Sequence, residues 1–476
     1  MDVRENFVFR ITGNSVKHCD GVSRRDFLTA GAAGMVGLTL ADMLRLEAQA
    51  GIGSSNKAIV NIHLDGGPPQ MDTIDMKPNA PTETRGIFQP ISTSMPGFQV
   101  CELMPQIAAH AAQFAFVRSM VGAEGRHDAF QCMSGFSTKD MEGFGGRPAM
   151  GCVLTKLLGK VTDPAPTYVD LMQGRPLVRN SARPGFLGPS YKPFRPDLSS
   201  IFSRPLEPGM VGELSRLGSN HTTSLSLNAE LNADRLANRN TLLAGLDKIR
   251  REVDATGMMD AMDRFSQQAT GILLSGKFAD ALDLSKEDPQ VVEQYKPKWS
   301  VTSKRFTTAD EPKAALKLLM TRRLIEAGVR CVSVTFSDFD THSDNFNRMK
   351  YTLPIVDHAI VTFLKDLKSR GMLEDVSIVL WGEFGRTPKI NSKAGRDHWP
   401  RVAPAIFAGG KLKVGQVIGS TDKLAGEATS RPIHYQDALY TLYHSLGILA
   451  DRTTIDDPTG RPQYLLDRGK IIPELV

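Results

Sequence analysis

The chain has 476 residues, of which 41% are hydrophobic and 23% charged. That balance excludes a mainly disordered chain, a collagen-like repeat and a coiled coil. At roughly 150 residues per domain it allows about three domains, or one large α/β domain with insertions. The net charge of +5 is mild and shows no basic block, so a nucleic-acid partner is not expected. No apolar run reaches the ~20 residues of a membrane helix, so no transmembrane span is expected.

The chain opens on a leader-like stretch. Ser23-Arg24-Arg25-Asp26-Phe27-Leu28 precedes a Gly- and Ala-rich apolar run that ends near Ala41, and Ala48-Gln49-Ala50 follows as a small-residue cleavage site. Paired Arg before Phe-Leu is the pattern of a twin-arginine export signal, which implies the twin-arginine translocation machinery as a partner. Residues 1–50 are therefore expected to be a signal peptide. The mature protein would be periplasmic or extracellular, with a single large domain over 51–470. Of five cysteines, Cys19 lies in the leader. Cys101, Cys132, Cys152 and Cys331 form no CxxC pair, which leaves room for one or two disulfides but not for a cysteine zinc site.

Residues 57–64 read as a short β-strand that stops at Asp65-Gly66-Gly67-Pro68-Pro69. Residues 104–116 read as a helix and 114–117 as the start of a strand. Residues 160–225, rich in Pro, Gly and Ser, read as loops, and 227–293 as helical, so about 160–310 is expected to be a loop-rich and helical insertion. Alternation then becomes regular: a helix over 312–327, a strand over 331–336, a helix over 351–370, a strand over 376–381, another over 402–407, and a helix over 433–446. Strands alternating with helices imply a mostly parallel sheet covered on both faces.

Four polar clusters sit at or beside these strands. They are Asp65; 337–345 with Asp338, Asp340 and His342; 382–387 with Glu383 and Arg386; and 395–400 with His398. The carboxyl ends of parallel strands share one edge, so residues far apart in sequence can meet there. Asp, Glu and His together are ligands for a divalent ion, zinc above all, with manganese, calcium or magnesium as alternatives. Asp338-x-x-x-His342 suits one face of a helical turn, and Asp340-x-His342 suits an extended segment; spacing does not choose between them. Ser119 is a candidate nucleophile activated by a nearby metal, and His127 a candidate ligand. Arg386 is a candidate clamp for an anion, because its planar fork matches phosphate or sulfate. His63, inside a strand, reads as packed, as do His358, His434 and His444 on or beside helices. No Gly-x-Gly-x-x-Gly follows a strand and no cysteine cluster is present, which argues against an oxidoreductase.

Several strings resemble the bacterial domain-of-unknown-function family 1501. They are Asp65-Gly-Gly-Pro-Pro-Gln-Met-Asp72-Thr-Ile-Asp75-Met-Lys-Pro78, Arg85-Gly86, Val117-Arg118-Ser119, Asp340-Thr341-His342 and Gly382-Glu383-Phe384-Gly385-Arg386-Thr387-Pro388. The likeness runs over roughly 20–470. It implies the alkaline-phosphatase-like superfamily of phosphatases, sulfatases and cofactor-independent phosphoglycerate mutases. On that pattern Asp65 matches the acid that closes the first strand, and Ser119 is the nearest candidate for the nucleophile. Asp338 with His342 matches the Asp-x-x-x-His pair, and Asp340 is the alternative acid. His398 before Val402-Ala403-Pro404 resembles the final His. Where the superfamily has an Asp-His pair, this chain has Glu383-Phe384, and Phe cannot bind a metal. No cysteine begins the Cys/Ser-x-Pro/Ala-x-Arg signature of formylglycine sulfatases.

The sequence thus implies an exported, alkaline-phosphatase-like α/β protein that hydrolyses an anionic phosphate or sulfate ester, free or on a glycan. Asp65, Asp338 or Asp340, His342, Glu383 and His398, joined by His127, would hold one or two metal ions. Ser119 would attack, and Arg118 or Arg386 would hold the anion. The alternative is a binding or structural protein on the same fold, which the missing His at Phe384 favours.

Overall fold

The structure, a computed structural model, describes residues 57–196 apart from 142, 144 and 161, then 198, 276–297 and 312–476. The expected signal peptide and most of the expected insertion lie outside the described residues. No described helix is long and apolar enough to cross a membrane.

An eight-stranded sheet organises the chain. Its strands are β1 (Ala58–Leu64), β2 (Ala115–Val121), β3 (Tyr168–Leu171), β4 (Cys331–Phe336), β5 (Val376–Trp381), β6 (Ala403–Gly409), β7 (Gln416–Ile418) and β8 (Ile433–His434). Their order is β7-β2-β6-β5-β1-β4-β3, with β8 also pairing with β2. β6 pairs antiparallel with both neighbours, and the other pairings are parallel. β1 sits near the middle and is buried along its whole length. Its even residues, Ala58, Val60, Ile62 and Leu64, enter one apolar cluster and Ile59 enters the other, the two-residue period of a strand covered on both faces.

The main helices are α1 (Pro105–Ala109), α2 (Phe130–Ser134), α3 (Met150–Leu158), α4 (Lys277–Leu282), α5 (Pro289–Tyr295), α6 (Leu316–Glu326), α7 (Asn345–Ser369) and α8 (Tyr435–Ser445). Residues of α1, α6 and α7 join the first cluster, and residues of α2, α3 and α8 join the second. Helices therefore cover both faces of the sheet.

Several elements differ from the sequence expectation. Helix α1 ends at Ala109 and gives way to a short 3₁₀ turn, Ala111–Gln113. Strand β2 runs on to Val121, so Arg118 and Ser119 lie within a strand rather than after it. Tyr168–Leu171, expected as loop, is the edge strand β3; four residues between prolines carry too little pattern to stand out. Helix α7 starts six residues early and contains Pro354. Proline is best tolerated in a first turn, but Pro354 lies inside α7. Ile433 and His434 pair with β2 before α8 begins. The four described cysteines are buried and free, so the disulfides left open by the sequence do not form.

The registers place the functional edge. Leu64 pairs with Phe336, His63 with Trp381, Trp381 with Ala405, and Ala403 with Met120. The exits of β1, β2, β4 and β5 are therefore level with the entrance of the reversed strand β6. Residues 65–67, 122–128, 337–342, 382–386 and 395–400 all emerge at this one edge.

Candidate metal centre

His127, Asp340, His342 and His398 each bring one ligand atom to within 4.8 Å of the others. His127 Nε2 is 3.1 Å from Asp340 Oδ2, and His342 Nε2 is 3.2 Å from Asp340 Oδ1. His342 Nε2 and His398 Nε2 are 2.9 Å apart. The other ring nitrogens are already committed. His398 Nδ1 donates to the Gly125 carbonyl at 2.9 Å, His342 Nδ1 to Asp397 at 2.6 Å, and His127 Nδ1 to Glu383 Oε1 at 2.9 Å. Carbonyls and ionised carboxylates only accept, so Nδ1 carries the proton in all three rings. On a neutral ring Nε2 is then a bare lone pair. Two lone pairs 2.9 Å apart repel unless a cation lies with them, either a proton on one ring or a metal ion shared by the whole group. Histidines held through Nδ1 by an acceptor, with Nε2 turned inward, are the usual arrangement around a bound metal.

Local charge agrees with this. Burial opposes ionisation of Asp340, yet hydrogen bonds from His127 and His398 and the charges of His127 and Arg386 hold its carboxyl well below the usual range. Burial likewise opposes ionisation of Glu383, and His127 and His63 beside it outweigh that and lower it. Burial favours neutral His127, but the two flanking carboxylates raise its pKa. The hydrogen bond from His342 lowers Asp397. The His342 side chain is 47% exposed, so solvent reaches the group from its side.

Arg386 holds the segments together. It is fully buried. It donates to Asp340 Oδ1 at 2.7 Å, to the Arg396 carbonyl at 2.9 Å, to the Gly67 carbonyl at 3.2 Å and to the Gly66 carbonyl. Gly66 permits the contact with Asp340: it has φ +109°, and a Cβ there would stand 2.2 Å from the Asp340 nitrogen. A Cβ on Gly395 would stand 2.1 Å from the His342 carbonyl oxygen.

A family model described as "Protein of unknown function (DUF1501)" matches residues 56–476. The chain belongs to this family. No curated protein matches it. Among solved structures it is similar to the PsFucS1 sulfatase from Pseudoalteromonas sp., at 13% identity, covering 87% of this chain and 72% of that one. The TM-score is 0.35, and a likeness at that level carries no argument.

In this DUF1501 member the expected site residues separate into those that meet and those that do not. His127, Asp340, His342 and His398 form one group; Asp65 and Glu383 form a second with His63. Asp338 joins neither: it takes a left-handed backbone (φ +76°) and its Oδ1 accepts from Arg348 at 2.6 Å. The extended Asp340-x-His342 spacing is the one that brings both side chains to the group. Arg386 is not an exposed anion clamp, because its guanidinium is buried and bonded. Arg118 faces the Gly419 carbonyl and Asp75. Ser119 lies outside both groups: its buried hydroxyl donates to the Arg431 carbonyl at 2.6 Å, and a Cβ on Gly419 would stand against it. Phe384 is buried, with its ring 4.5 Å from His398 and 5.2 Å from His127, centre to centre.

Three residues were missed. His63 reads as core because it lies in a strand; the signal was its i, i+2 spacing to Asp65, which puts both on one face. Asp397 stands beside His398 in a cluster whose His alone drew attention. Arg179 is exposed and donates to the His127 carbonyl at 2.5 Å; its stretch of sequence carries no signal.

Proposed function

We propose that the chain is a metal-dependent hydrolase of phosphate or sulfate esters on an alkaline-phosphatase-like α/β fold. One observation carries the proposal: three imidazole Nε2 atoms converge on the Asp340 carboxylate while an acceptor holds each Nδ1. His127, Asp340, His342 and His398 would hold the ion. Three nitrogens and one carboxylate oxygen favour zinc over calcium or magnesium. A divalent ion held there would polarise an ester and offset the charge that develops on its leaving oxygen.

The chain's own residues supply orientation and charge. Asp397, Glu383 and the Gly125 carbonyl aim the three rings, and Arg386 fixes Asp340. Arg179, exposed beside His127, offers a charge to an anionic ester in place of the buried Arg386. Phe384 walls one side with an apolar surface that keeps water off the His127 and His398 rings. Export through the twin-arginine pathway, to the periplasm or beyond, is part of the proposal and rests on the Arg24-Arg25 leader.

The alternative is a protein that binds an anionic glycan or ester without turning it over. The bonded states of Ser119, Arg118 and Arg386 favour it, since none of the three is free to act as first expected. Metal analysis of protein purified without chelator, followed by a panel of phosphate and sulfate esters, separates the readings. The hydrolase reading expects bound metal, turnover of at least one ester, and loss of that turnover and of the ion at the three-histidine group in the His342→Ala/His398→Ala protein. No metal, even after reconstitution, refutes it. Metal with ligand binding but no turnover moves the conclusion to the binding protein.

A further inference from the structure

The loop that carries Asp340 and His342 is held in a strained shape. Among the described residues, seven non-glycine residues have a left-handed backbone. Three of them, Asp338 (φ +76°), Asp344 (φ +52°) and Ala394 (φ +52°), lie in the two loops that bring Asp340, His342 and His398 together. In that region the Cβ crowds the following carbonyl, so the conformation persists only where neighbours impose it. At the far end of the first loop the neighbours are backbone. Asp344 N–H donates to the Lys393 carbonyl at 3.0 Å, Asn345 N–H to the Ala394 carbonyl at 2.9 Å, and Arg396 N–H to the Thr341 carbonyl at 2.8 Å. At the near end one side chain does this. Arg348, in the first turn of α7, donates through Nη2 to Asp338 Oδ1 at 2.6 Å and through Nη1 to the Asp340 carbonyl at 2.8 Å.

We infer that Arg348 is a positioning residue for the metal centre: its fork clasps Asp338 and Asp340 together and so aims the Asp340 carboxylate at the three histidines. The clasp closes a ring around Phe339, whose buried side chain anchors the same stretch in the first apolar cluster. Without the clasp Asp338 relaxes to negative φ, and rotation about that bond turns the chain that follows, Asp340 first. Arg386 holds the Asp340 carboxylate; Arg348 holds the backbone behind it. The same clasp keeps Asp338 out of the ligand group. The inference rests on the proposed metal centre but not on ester chemistry.

The test is the zinc affinity of the stripped full chain in a chelator competition, followed on the ion that His342→Ala/His398→Ala loses. Each variant is held well below its own melting temperature and checked for native circular dichroism. Arg348→Met and Asp338→Ala should each bind that ion ~10–100-fold more weakly, the usual loss when a group that orients a ligand is removed. The double variant should be no weaker than the worse single one, because both changes remove one clasp. Asp338→Asn should bind about as well as the unaltered protein, since asparagine tolerates the left-handed backbone and still offers Arg348 an acceptor. A residue that served only the fold would lower the melting temperature and leave the affinity alone. Unchanged zinc affinity in folded Arg348→Met overturns the inference, and so do additive losses in the double variant. If Arg348→Met does not fold, Arg348→Lys decides, because it keeps the charge without the fork: weaker zinc supports the clasp and unchanged affinity overturns it. An unaltered protein that binds no zinc removes the metal centre and this inference together; bound zinc that is indifferent to Arg348 removes this inference alone.

Discussion

Replacing Asp72 by Ala tests whether a buried ion pair behind the site holds its loops in place. The Asp72 and Arg396 side chains are both fully buried. Arg396 donates to Asp72 through Nε at 2.8 Å and Nη2 at 3.0 Å. It also donates to the carbonyls of Thr84 at 2.7 Å, Thr387 at 3.1 Å and Pro388. All five guanidinium hydrogens are thus used. Asp72 also accepts from Asn345 Nδ2 at 2.8 Å. Removing one partner of a buried pair leaves an uncompensated charge and costs about 3–5 kcal/mol. Three carbonyls would still face Arg396, so the low end, about 3 kcal/mol, is expected for Asp72→Ala. At ~2.1 cal/mol/K per residue, a domain of about 400 residues has an unfolding entropy near 0.8 kcal/mol/K, so Tm should fall by about 4 °C. The assay is a thermal melt of the metal-free protein, with Arg396→Met and the double variant Asp72→Leu/Arg396→Met alongside. The double variant should be less destabilised than the two single losses summed, because it removes both charges. Arg396 directly precedes Asp397 and His398, so Asp72→Ala should also weaken metal uptake. A Tm within about 1 °C of the unaltered protein, or strict additivity in the double variant, refutes the reasoning.

Three further outcomes are expected. Asp397→Ala should bind the first metal ~10–100-fold more weakly, the usual effect of losing a carboxylate that orients a ligand; the metal-free melt should hardly change, since Asp397 is half exposed, and an unchanged affinity in a chelator competition would exclude the orienting role. Ser119→Ala should lose about 1 kcal/mol of stability with its bond to Arg431, yet keep its metal content and ester turnover; a fall in turnover of several orders would restore Ser119 as the nucleophile. Burial pushes the Asp357 carboxyl up to about 6, even though the backbone N–H groups of Ile107 and Gln106 pull it down. Between about pH 4 and 6 the folded state keeps a proton that the unfolded state has released, so stability falls as pH rises through this window, by up to about 3 kcal/mol. Asp357→Asn should remove that slope; parallel Tm-against-pH curves for the two proteins would count against it.

How far the sequence was legible depends on the kind of signal. The central strands were readable because buried parallel strands are short, continuous apolar runs, and 331–336 and 376–381 match β4 and β5 at both ends. β3 and β8 were not, because two to four residues hold no period and owe their place to a neighbour. The direction of β6 was equally hidden, since an isolated strand looks the same either way round. At the candidate site, residue types singled out Asp340, His342 and His398, which stand in polar clusters where strands stop and which the structure brings together. Spacing left Asp338 and Asp340 equal. The choice came from Arg348 on α7, which occupies Asp338. Arg386 read as an anion clamp because its fork suits an anion and an arginine in a polar cluster looks exposed. Only the fold shows it facing four acceptors in the interior.

On the proposed reading, the edge itself explains how Phe384 can stand where the resemblance leads one to expect a His. Five segments end at one level of the sheet, so a ligand missing from one can come from another without moving the backbone. His127 reaches the first group from the exit of β2, and its ring, like that of His398, packs against Phe384. His63 reaches the second group from within β1. On the proposed reading Phe384 does not leave a hole in the ligand set; its ring is the apolar wall against which the His127 and His398 rings pack. On this account Phe384→Ala should loosen His127 and His398 and weaken the first metal. Phe384→His should not improve binding, because the inward nitrogens of the first group are already supplied by His127, His342 and His398. A metal titration in which Phe384→His bound the first ion more tightly than the unaltered protein would show that the ligand set was incomplete after all.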